Sequence, residues 1–170
     1  MKYIWTVEGD DPDYGQGEKY GIDGYFFPSR DAVITTPAEV TKASQQPGVK
    51  AIGIYLGHNW FPGYSPAQLA AAVNLDYIRV TKNGMVNRGL KVMFNMEQAD
   101  PDYIAATLEA WRKLRPTVGT SWSPAAHQGG WMSPAFVARI LASRVRVVPQ
   151  SFIDLPGAPM TRVESDYVLR

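Results

Sequence analysis

The fold is decided by residues 90–114, LKVMFNMEQADPDYIAATLEAWRKL. Its opening, LKVMFNMEQ (90–98), is a short apolar run with little polar alternation, the pattern of a strand buried on both faces. Asp100-Pro101 follows. Proline suits the first helical position, because the N–H it lacks would have no partner there, and the aspartate before it can cap the helix. From there Ile104, Leu108, Trp111 and then Leu114 fall on one face at helical spacing. The segment is one strand, one tight turn and one helix.

The same unit recurs on both sides. GIDGYFF (21–27), VKAIGIYLG (49–57), TVGTSWS (117–123) and VRVVPQSFI (145–153) read as strands, and KYIWTVE (2–8) as a further edge strand or a first barrel strand. Thr36-Pro37 has Glu39 three residues after the threonine, a capping box. Ser65-Pro66 and Ser133-Pro134 repeat the cap-then-proline signal, and Thr161 stands three before Glu164. Gly48 and Gly89 each precede a strand and can stop a helix. Strand then helix, repeated, predicts an α/β fold in which parallel strands alternate with helices through right-handed crossovers. Residues 1–170 are expected to form a single domain.

Two closures suit that order, an open doubly wound sheet and a barrel. The first would be marked by a GxGxxG turn with a later acidic residue, and a phosphate site by a P-loop; the chain has neither motif. The expectation is a TIM-barrel-like (β/α) barrel. A full eight-stranded barrel usually needs about 250 residues. A chain of 170 residues therefore makes a partial barrel, the N-terminal portion of a longer one, or a barrel that a partner completes.

Composition narrows the function classes. Apolar residues make up 45%, the share of an ordinary globular core. Basic and acidic residues number 17 and 16 and are interspersed, so no basic stripe invites nucleic acid. The absence of cysteine excludes disulfides, thiolate chemistry and Cys-ligated metal. The opening MKYIWTVEGDD breaks its short apolar run with Glu8, Asp10 and Asp11, so no signal peptide is expected, and with no run of eighteen apolar residues no membrane span is expected. Five tryptophans and nine tyrosines suit a core, and also a sugar- or protein-binding surface.

In either closure, chemistry gathers at the carboxyl ends of the strands. The candidates there are Asp23; Tyr55, His58, Asn59 and Trp60; Asn95, Glu97 and Gln98; Trp122, Ser123 and His127; and Gln150, Ser151 and Asp154. Glu97, between an apolar strand and a helix cap, is placed for general acid–base or nucleophilic work, and Asp23 is the natural second carboxylate of a glycosidase pair. The plainer readings are a capping or ion-paired Glu97 and a structural Asp23 that accepts backbone hydrogen bonds. Trp60, Trp122 and Trp131 could stack on sugar rings or simply pack. His58 and His127 are the only histidines, with neither HExxH nor HxH spacing, so no metal or cofactor is expected. Ser123 and Ser151 lack a nucleophile elbow. The acidic stretch EGDDPDYGQGEKYG (8–21) lacks EF-hand spacing and reads as a solvated loop.

GIDGYFFPS, GIYLGHNW, FNMEQ, GTSWS and VVPQSF, in that order, resemble the glycosidase-like TIM-barrel proteins of bacteriophage tails and lysins. Gly21-Ile22-Asp23 matches the early strand of such proteins, Met96-Glu97 the acidic middle strand, and Trp122 and Gln150 the later rim positions. The resemblance covers most of the chain through short motifs. It departs at Asn95, where the lysozyme-type members carry the aspartate of an Asp-x-Glu pair, and in its missing last strands. It implies a domain that engages, and if active hydrolyses, a cell-wall or surface polysaccharide. Glu97 and Asp23 would then be catalytic, and Tyr55, His58, Trp60, Asn95, Trp122 and Gln150 substrate-binding. The alternative is a non-catalytic minor tail protein with the barrel as an assembly module among other tail subunits. Either implies a virion, or host cytoplasm before assembly.

Overall fold

A computed structural model describes residues 3–5, 23–28, 37–57, 60–82, 89–96, 99–124 and 133–147. From the second strand onward the described elements alternate as the sequence predicts. Strands β1 (Tyr3–Trp5) and β2 (Gly24–Pro28) are followed by α1 (Pro37–Ser44), β3 (Ala51–Gly57), α2 (Pro66–Lys82), β4 (Lys91–Asn95), α3 (Pro101–Leu114), β5 (Thr120–Ser123), α4 (Pro134–Ala142) and β6 (Arg146–Val147).

All four helices among the described residues begin on the proline of a cap-then-proline pair. The caps of the last three are visible in the hydrogen bonds. Asp100 Oδ1 accepts the Tyr103 amide at 2.8 Å, and Ser133 Oγ accepts that of Phe136 at 3.2 Å. At α2 a reciprocal box forms: Ser65 Oγ accepts the Gln68 amide at 3.3 Å, and the Ser65 amide donates to Gln68 Oε1 at 2.9 Å. Gly48 and Gly89 take φ of 77° and 68°, left-handed values that glycine adopts without strain, just before β3 and β4.

The six strands lie in sequence order, β1-β2-β3-β4-β5-β6, and every neighbouring pair is parallel. An order that never reverses, joined by right-handed crossovers, puts the helices on one face of the sheet. The side chains agree. Tyr25, Phe27, Ile52, Ile54, Leu56, Val92, Phe94 and Trp122 pack with Val40 and Ala43 of α1, Leu69 and Val73 of α2, Ile104, Leu108 and Trp111 of α3, and Phe136 and Ile140 of α4. A separate small cluster of Phe26, Tyr55 and Met93 occupies the other face. The split follows the two-residue period of a strand.

Trp111 holds α3 to the sheet. It is fully buried, meets Phe94 edge-on at 5.8 Å and Tyr77 at 6.0 Å, and donates from Nε1 to Thr120 Oγ1 at 2.8 Å. On the face away from the helices, Phe26 lies across Gly53, where a Cβ would overlap its ring. No helix among the described residues is long and apolar enough to cross a membrane.

Candidate functional site

A parallel strand order gives the sheet two unlike edges. Strands leave toward helices at the carboxyl edge and are entered from helices at the amino edge. At the carboxyl edge, register sets Gly57 beside Asn95 and Asn95 beside Ser123. One step down, Tyr55 pairs with Met93 and Met93 with Ser121. Strand alternation puts Tyr55, Met93, Asn95, Ser121 and Ser123 on the face opposite the helices. Trp60, just beyond β3, packs on Tyr55 with ring centroids 5.6 Å apart and planes inclined by 46°. The site is thus an aromatic pair beside a row made of a glycine, an amide and a hydroxyl.

Ser123 is fully buried, and its Oγ has no hydrogen-bond partner. Trp122 Nε1, on the adjacent residue, has none either. Such atoms are uncommon in folded proteins, where nearly all buried polar groups are paired. The remaining buried unpaired side-chain atoms among the described residues belong to the Asp76–Arg79 pair of α2, whose Nε–Oδ1 distance is 3.4 Å.

Three expected site residues, Tyr55, Trp60 and Asn95, come together here. Two do not join them. Asp23 precedes β2 and lies at the amino edge. Its carbonyl accepts the amides of Lys50 and Ala51 at 2.8 and 3.1 Å, and its carboxylate meets Lys50 Nζ at 2.7 Å. From Ala51, the register partner of Gly24, to Gly57, the partner of Asn95, β3 climbs about 20 Å at about 3.3 Å per residue. Carboxylate pairs of glycosidases are separated by about 5–9.5 Å. Asp23 is therefore no second carboxylate for the carboxyl edge. The aspartate lies ahead of the strand because the apolar, sheet-forming run begins only after it.

Trp122 is the second correction. Its indole points to the helix side, 1% exposed, edge-on to Phe136 at 5.4 Å, and so packs in the core instead of lining a cleft. The contribution of β5 to the opposite face is Ser121 and Ser123. The signal was present in TSWS, where two small polar residues alternate with one large aromatic. Beneath a covering helix the large residue must face inward to the helix layer.

Glu97, Gln98, His58, Asn59, His127, Trp131, Gln150, Ser151, Asp154 and the 8–21 loop lie outside the described residues. Among the described residues no cluster of three His, Asp or Glu side chains forms that could hold a metal ion. Compared with family models, curated proteins and solved structures, the chain matches none.

Proposed function

We propose that the chain is a glycosidase-like (β/α)-barrel domain, of the kind found in phage tails and lysins, that engages a cell-wall or surface polysaccharide at the carboxyl edge of its sheet. The observation that carries the reading is the Tyr55–Trp60 pair beside the Gly57–Asn95–Ser123 row. The partly exposed Trp60, backed by buried Tyr55, offers a face to the apolar side of a sugar ring, and the partly exposed Asn95 amide offers groups to its hydroxyls. The unreversed strand order supports a barrel, partial or closed, over a doubly wound sheet. Hydrolysis would run through Glu97 as the acid/base. Its partner would be a residue other than Asp23.

The test is binding of the purified chain to insoluble bacterial cell wall and to soluble polysaccharides. Trp60→Ala is expected to weaken retention by about tenfold or more, with folding checked by circular dichroism. Glu97→Gln is expected to stop any release of reducing ends while leaving retention in place. Retention equal in wild type and Trp60→Ala would sink the binding reading.

A second reading, a non-catalytic assembly module, is favoured by a different observation. Among the described residues β6 ends the sheet with both its residues exposed, Val147 included, and Val137 and Leu141 of α4 are exposed as well. Open strand edges invite pairing with another chain. A monomer by sedimentation equilibrium at high concentration, with saccharide binding intact, argues against it.

A further inference from the structure

We draw no further inference here: the strongest candidate, the exposed apolar surface that Val137 and Leu141 give to α4 and Val147 gives to β6, carries nothing, because nothing among the described residues shows what covers it.

Discussion

The two edges of the sheet spend their polar groups differently. At the amino edge they are tied to one another. Asp23 binds Lys50 through both its carbonyl and its carboxylate. Arg112, in the last turn of α3, donates from Nε to the Ser143 carbonyl at 2.8 Å, from Nη1 to those of Arg115, Pro116 and Val118 at 3.1, 2.9 and 3.0 Å, and from Nη2 to that of Arg144 at 3.0 Å. One guanidinium thereby gathers the turns that enter β5 and β6. At the carboxyl edge, Ser123 Oγ and Trp122 Nε1 are buried and unused. The difference teaches a division of labour. At one edge the polar groups bind one another, and at the other two buried polar atoms go without a partner.

The largest expected effect breaks the tied edge. Arg112→Met removes five hydrogen bonds from a charged donor and leaves carbonyls around a half-buried site to find water. A loss of about 3 kcal/mol in unfolding free energy is expected by urea denaturation. Arg112→Lys should recover little of it, since an ammonium cannot span carbonyls set around a planar fork. Burial, and then the nearby charge of Arg144, pull the guanidinium below its ordinary pKa, yet arginine stays charged at neutral pH. If Ser123→Ala cost as much as Arg112→Met, the contrast between the edges would be wrong.

A smaller effect sharpens the contrast between the two faces. Gly53→Ala places a methyl group into the Phe26 ring, and overpacking of this kind costs about 2 kcal/mol. In a Phe26→Ala background the same change should cost much less. A double-mutant cycle reads the coupling directly. Additive costs would mean that the sheet backbone, and not Phe26, sets the limit at Gly53.

The order of the elements was legible because each unit carries its own punctuation. Pro37, Pro66, Pro101 and Pro134 each open a helix, and Gly48 and Gly89 each precede a strand. Strand ends were less legible. LKVMFNMEQ reads as a strand through Gln98, whereas β4 ends at Asn95, because hydropathy marks burial and not ladder hydrogen bonds. The rim was legible in part for the same reason. Tyr55, Trp60 and Asn95 sit where strand-end reasoning puts them. Asp23 was misplaced because an acidic residue next to an apolar run looks alike at either end of it. Trp122 was misplaced because residue type was weighed ahead of parity: an indole suggests a sugar platform, but its position in TSWS aims it at α4.

The Asp23 correction carries its own test. Lys50 is largely exposed, so solvent screens its ion pair with Asp23 and the pair contributes little. Asp23→Asn keeps the backbone acceptor and should lower the melting temperature only slightly. On the proposed reading, it should also leave any saccharide binding or hydrolysis at the wild-type value. Lost turnover with an intact fold would return chemistry to the amino edge.

The smallest effect concerns acid. Arg139 on α4 donates to Glu109 on α3 from Nε at 2.7 Å and from Nη2 at 3.1 Å, and reaches Asp102 from Nη1 at 2.9 Å. The hydrogen bonding from Arg139 is the main influence holding the Glu109 carboxyl below the usual range; partial burial opposes it, and the charges of Arg139 and Lys113 assist it. A carboxyl whose pKa is lower folded than unfolded stabilises the fold above its unfolded value, near 4.3 for glutamate, and the gain is lost as pH falls from there through the folded value. Both side chains are more than a third exposed, so the gain should stay below about 1 kcal/mol. Glu109→Gln should therefore flatten the acid limb of the stability curve below about pH 4.5 and leave the alkaline limb alone. An unchanged acid limb would mean that the α3–α4 contact depends on its apolar face and Arg112 alone.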